Sequence, residues 1–153
     1  MDIKQAIIIV LSGFVGSIGF SLLFRMNKQK IIFAAIGGGL TCLVYVVAFN
    51  FSEKSFFQNL FPALFATAYS EILARLTKSP STPYIAISII PLVPGSKLYY
   101  TMYYLITDND LAFKEYFLET LRIAGGLGVG IILVSVIIRE INYHKFKHIY
   151  DME

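Results

Sequence analysis

Residues that could bind a small charged molecule are concentrated between Ser88 and Tyr100, inside an apolar run long enough to cross a bilayer. Pro91 and Pro94 each remove a backbone donor, and Gly95 adds backbone freedom directly after them. A continuous helix through this segment is therefore not expected. Backbone groups freed in hydrocarbon need partners in protein or in a water-lined cavity, and such breaks mark substrate sites in transporters. The alternative is a kink that only shapes packing, because prolines are frequent in membrane helices.

The residues that follow the break could hold an anion or a zwitterion. If a helix restarts at Ser96, its first turn offers unpaired N–H groups and a positive dipole end, which attract a carboxylate. Lys97 lies in that turn, and a lysine near the bilayer centre costs about 2.5–3.5 kcal/mol, so it needs a partner or water. The alternative is that Lys97 extends to the headgroups and the nearby tyrosines form an aromatic belt. The predicted substrate-binding residues are Pro91, Pro94, Gly95, Ser96, Lys97, Tyr100, Thr101 and Tyr104.

Two other pairs of residues have spacings that would suit an ion pair, a proton relay or a metal site. Glu71 precedes Arg75 by four residues, the favourable order for an ion pair on a helix surface, and a proton or cation relay is the functional alternative. His144 and His148 have the spacing of two helical metal ligands, but no third ligand accompanies them, so we predict no metal and no other cofactor. No catalytic triad or carboxylate pair can be assembled within the apolar runs, and the sequence does not indicate an enzyme.

Five apolar segments position these residues. Of the 153 residues, 56% are hydrophobic and 15% are charged, a composition typical of a membrane protein. A helix rises about 1.5 Å per residue and the hydrocarbon core is about 30 Å thick, so each segment can span it. The predicted spans are residues 6–24, 31–51, 56–74, 84–106 and 120–138, the last preceded by an amphipathic segment at residues 111–121. The fold class is therefore all-α, with the fourth span broken at Pro-x-x-Pro-Gly, and residues 1–153 form one integral membrane domain.

Glycines on two of these segments predict close helix contacts. Gly13, Gly16 and Gly19 recur at every third position of the first span, and Gly126 and Gly130 form a GxxxG pair in the last one. Such smooth faces let two helix backbones approach each other closely.

The distribution of positive charge predicts the orientation. The loops that begin at Arg25 and Arg75, and the C-terminal tail, hold more Lys and Arg than the loops around Glu53 and Asp108. Cytoplasmic loops are the positive ones, so five spans place the N-terminus outside and the C-terminus in the cytoplasm. The net charge of +3 is too small and too scattered for nucleic-acid binding.

Four segments, residues 19–24, 70–75, 89–95 and 99–102, resemble the threonine/serine exporter family. The most specific is the Ile-Pro-Leu-Val-Pro-Gly element, with Ser-Glu-Ile-Leu-Ala-Arg upstream of it. The similarity is to the smaller, C-terminal membrane portion of the family and covers roughly residues 13–139. It implies proton-driven export of threonine and serine, or of dicarboxylates such as succinate in some split members, across a bacterial cell membrane.

The same resemblance implies a partner. The chain is similar to the stand-alone small form, which works with a larger membrane subunit of the family. An odd number of spans does not divide into two equal halves, so a partner subunit or self-association would complete the transporter. Lys97 departs from the family pattern, in which small or apolar residues are expected, and this could indicate a more anionic substrate. The other function left open is an assembly subunit that stabilises a partner and contacts no substrate.

Overall fold

Helices joined by short turns make up the part of the chain that the structure describes. The computed structural model describes the backbone of residues 2–150 and the side chains of residues 2–141 and 143. This part contains six α-helices, one 3-10 helix and no strand, as the all-α prediction requires. The elements are α1 (Ile3–Leu23), α2 (Lys28–Phe51), α3 (Ser55–Leu76), α4 (Thr82–Ile89), the 3-10 helix (Ile90–Leu92), α5 (Gly95–Ile106) and α6 (Asp110–Tyr150).

Three helices in the described residues are long and apolar enough to cross a membrane: α1, α2 and the Asp110–Ile141 part of α6. The chain is thus an α-helical membrane protein. α3 has 22 residues but carries buried polar side chains, among them Gln58, Asn59 and Thr67, which lower its hydropathy. α5 has only 12 residues, too few to cross a bilayer alone. The count of five spans remains a prediction.

The helices pack in an order that places α3 at the centre. α3 contacts α2, α4 and α6, while α1 packs on α2 and α5 packs on α6. A Cβ atom on Gly130 would lie 2.6 Å from the Cβ atom of Ala63, and one on Gly126 would collide with the carbonyl oxygen of Phe56. The GxxxG contact predicted for the last span is therefore confirmed, and its partner is α3.

The glycine face of α1 is used only in part. Gly13 packs against the side chain of Cys42 on α2, and one turn later Ser17 packs against Gly38. The Ser17 hydroxyl also donates to the carbonyl of Ile87 in α4, at 3.3 Å. A Cβ atom added to Gly16 or Gly19 would have no described atom within 4 Å outside its own helical turn. The predicted close helix contact is thus confirmed at Gly13. Within the described part of the chain, the prediction is wrong for Gly16 and Gly19.

α6 is longer than the last predicted span. Its 41 residues correspond to about 60 Å at about 1.5 Å per residue, roughly twice the hydrocarbon thickness. Asn109 precedes the helix, and its side-chain oxygen accepts the N–H of Ala112 at 3.2 Å. The amphipathic segment and the span expected after it form one continuous helix, because no proline separates them.

We predict that Gly126→Ala destabilises the protein and that Gly128→Ala does not. The added methyl of Gly126→Ala meets the α3 backbone, whereas Gly128 has open space around it. Overpacking of this kind costs about 1–3 kcal/mol. Thermal unfolding of both purified variants in the same detergent measures the difference. Equal midpoints for the two variants would contradict the close α3–α6 contact.

Candidate functional site

The backbone between α4 and α5 leaves the α-helical path for a short distance. After the 3-10 helix, the N–H of Val93 donates to the carbonyl of Ile90 at 3.1 Å, and the N–H of Gly95 donates to the carbonyl of Val93 at 2.8 Å. Pro94 lies between them with φ −77° and ψ 58°, the conformation of an inverse γ-turn. Pro91 is the second residue of the 3-10 helix, so its missing N–H falls in the first turn, where amides have no partner within that helix. The prolines therefore occupy positions that need no donor.

A cavity of about 270 Å³ lies beside this non-helical segment. Its polar wall consists of Tyr45 from α2, Asn59 from α3, and Ser96 and Lys97 from the first turn of α5. The remaining wall is apolar and comprises Ile9, Cys42, Pro91, Leu92, Val93, Pro94 and Ile123. Pockets for drug-sized ligands measure about 300–1,000 Å³, so this cavity has the size for a smaller molecule.

A second cavity, of about 650 Å³, lies between α1, α2 and the same segment. Its lining is largely apolar and includes Ser12, Gly13 and Gly16 of α1. Pro91 and Val93 line both cavities, and Gly95 lines only this larger one. The break thus forms a common wall of the two spaces.

Lys97 has a charged partner that the sequence analysis did not identify. Its Nζ atom lies 2.7 Å from Oε2 of Glu119 on α6 and 5.0 Å from the centre of the Tyr116 ring. The lysine and glutamate side chains are 34% and 29% exposed, so neither is freely solvated. The sequence did indicate that Lys97 has a partner, because a lysine at membrane depth needs one. The partner could not be chosen from the sequence, because several acidic residues lie in the same region.

Thr101 supports the lysine from within the helix. It is buried, and its hydroxyl donates to the carbonyl of Lys97 at 2.8 Å. The same hydroxyl oxygen lies 3.5 Å from Oγ1 of Thr120, which is the residue after Glu119. Thr101 therefore joins the first turn of α5 to α6, and it is not among the described residues that line the two cavities.

The predicted tyrosines lie on the side of α5 that meets α6. The ring centres of Tyr100 and Tyr104 are 5.4 and 5.3 Å from that of Tyr116. Neither tyrosine is among the described residues that line the two cavities. Of the predicted residues, Pro91, Pro94, Ser96 and Lys97 meet at the smaller cavity. Tyr100 and Tyr104 pack on Tyr116, whose ring lies beside Lys97.

Glu71 and Arg75 lie away from this cavity. Glu71 follows Asn59 by 12 residues on α3, about 18 Å at about 1.5 Å per residue. Its side chain is half-buried, and that of Arg75 is exposed. The structure therefore places them near the end of α3, apart from Lys97, and their relay role remains a prediction.

The described residues contain no group of three His, Cys, Asp or Glu side chains that could hold a metal ion. His144 and His148 lie outside the described side chains.

The comparison with known protein families covers most of the chain. The family model described as Threonine/Serine exporter, ThrE, matches residues 9–137. The chain belongs to the threonine/serine exporter family. The matched region includes the break, the Lys97–Glu119 pair, the lining of the smaller cavity and, apart from Ile8, that of the larger one. No curated protein and no solved structure matches the chain. Membership of this exporter family, together with the long apolar helices, supports a membrane transporter rather than an enzyme.

We predict that Lys97 and Glu119 are energetically coupled in this exporter-family protein. Lys97→Met leaves a partly buried carboxylate without its cation. It should therefore lower the stability of the fold more in the native background than in a Glu119→Gln background, where that carboxylate is absent. The expected coupling is about 1 kcal/mol, the upper end for partly exposed ion pairs. Thermal unfolding of the two single variants and the double variant measures it. Glu115→Gln, one turn earlier and exposed, serves as the additive control.

Proposed function

We propose that this chain is the small membrane subunit of a secondary exporter for threonine and serine or for small carboxylates, acting with a larger subunit of the same family. The observation that carries the proposal is the cavity of about 270 Å³ beside the break, because it combines a small volume with a lysine at its polar wall. The family match supports transport, and the cavity indicates where the substrate would bind.

The chemistry of the cavity suits a carboxylate. Ser96 and Lys97 lie in the first turn of α5, where backbone N–H groups have no partner within the helix. These donors and the positive end of the helix dipole favour an anionic group. The Lys97 ammonium adds a charge-assisted hydrogen bond, and Asn59 and Tyr45 offer further polar groups from α3 and α2. In this proposal Pro91, Pro94 and Gly95 shape the site, and Tyr100, Thr101 and Tyr104 support it through α6.

We propose five spans in one membrane domain, residues 1–153, with the N-terminus outside a bacterial cell membrane and the C-terminus in the cytoplasm. The central position of α3 supports a span there, because its polar residues Gln58, Asn59 and Thr67 are buried by neighbouring helices and do not face lipid. Residues 84–106 then make the fourth span, with the break inside it. In this arrangement Glu71 and Arg75 lie near the cytoplasmic side, where a relay could admit protons.

The topology predicts which loops a membrane-impermeant thiol reagent reaches in intact spheroplasts. In a Cys42→Ala background, Glu53→Cys should be labelled at once and Lys78→Cys only after the membrane is permeabilised. The control is the native chain, in which Cys42 is buried and should remain unlabelled. The reverse pattern would contradict the proposed orientation, and equal labelling of both loops would contradict a membrane-spanning α3.

An assembly role is the second candidate, and one observation favours it. Lys97 has Glu119 and Tyr116 as partners from within the chain, which is also what a purely structural ion pair would look like. In that case the pair would hold α5 on α6, and the larger subunit or a second copy would carry the substrate.

Export measurements separate the two functions. We expect Lys97→Met to reduce export by about tenfold or more, because a hydrogen bond to a charged group contributes about 1.5–3 kcal/mol. Pro94→Ala should reduce export as well, because it removes the fixed φ angle that shapes the backbone just before α5. Efflux of threonine, serine and succinate is followed after a dipeptide load or anaerobic growth. Membrane insertion and co-purification with the larger subunit should be unchanged.

Matched controls are Pro80→Ala in an exposed turn and Lys114→Met on the exposed start of α6. If Lys97→Met is poorly produced, the double variant with Glu119→Gln leaves no unpaired carboxylate and should show the same loss. Normal export with both Pro94→Ala and Lys97→Met would favour the assembly role.

A further inference from the structure

We propose that Glu119 tunes the charge selectivity of the cavity beside the break, because it lowers the affinity for dianionic ligands relative to zwitterionic ones. This inference rests on the proposed function, because it concerns the same cavity. It assigns a specificity-determining role to a residue on α6 that is not among the described residues lining the cavity.

The ion pair places the negative charge directly behind the cationic wall of the cavity. Glu119 Oε2 lies 2.7 Å from Nζ of Lys97, and Lys97 lines the cavity together with Ser96 and Asn59. Glu119 also precedes Ile123 by one helical turn, and Ile123 lines the same cavity. The carboxylate therefore contacts a side chain that lines the cavity without being part of the lining itself.

Lys97 is the one charged side chain among the described residues that line the cavity. The neighbouring charges on α6 lie elsewhere: Glu115 is exposed, and Arg122 lines a different cavity with Glu53 and Lys54. Within the described part of the chain, Lys97 and Glu119 thus make the charged part of the site neutral as a whole.

A neutral pair treats the two ligand classes differently. A zwitterion has no net charge, so the attraction of Glu119 for its ammonium offsets much of the repulsion of its carboxylate. A dianion is attracted by Lys97 with both of its charges and repelled by Glu119 with both, so the glutamate lowers the affinity for the dianion more than that for the zwitterion. Charges a few ångströms apart in a partly buried site interact strongly enough to change affinity by about tenfold or more.

Removing the negative charge should therefore change the preference and not only the affinity. In Glu119→Gln, Lys97 is uncompensated, so binding of succinate should improve relative to binding of threonine by about tenfold. The ratio of the two dissociation constants is measured by isothermal titration calorimetry on the full chain purified in detergent. Glu119→Asp keeps the charge and should keep the native ratio closely.

Glu115→Gln is the matched control, since it removes a carboxylate one turn away on the same helix and should leave the ratio unchanged. An unchanged ratio in folded Glu119→Gln would overturn the inference while leaving the site itself in place. Absence of binding for both ligands in the native chain would overturn the proposed function as well.

Discussion

Polar backbone groups in an apolar bundle must have partners, and this requirement governs the region between α4 and α5. The chain interrupts its helix there without leaving many groups unpaired, because Pro91 and Pro94 bring no N–H and the amides of Val93 and Gly95 are bonded locally. The groups that remain available are those at the N-terminus of α5. The break therefore exposes a few donors beside a cavity while the amides of Val93 and Gly95 stay bonded.

The Lys97–Glu119 pair connects this local feature to the rest of the bundle. It joins α5 to α6, and α6 in turn packs closely on α3 through Gly126 and Gly130. α3 contributes Asn59 to the cavity, and α6 contributes Glu119 to the ion pair. The contact between α3 and α6 therefore supports both one wall of the cavity and one end of the ion pair.

Much of the bundle could be predicted from the sequence, because long apolar runs and prolines act locally. The first three predicted spans differ from α1, α2 and α3 by only a few residues at their ends. The glycine pattern was less informative. Gly13 and Gly126 pack closely whereas Gly16 does not, because a smooth helix face permits a contact without specifying which helix makes it.

The sequence by itself determined the all-helical membrane class, the location of the helix interruption and the need of Lys97 for a partner. These follow from hydropathy, from the missing donors of proline and from the cost of burying a charge, all of which depend on the residue itself. The tertiary structure decided that Glu119 is that partner, that Tyr45 and Asn59 share a cavity with Lys97, and that Tyr100 and Tyr104 pack on Tyr116. These outcomes depend on how α2, α3, α5 and α6 are arranged around one another, and residues far apart in the chain carry no local signal of that arrangement.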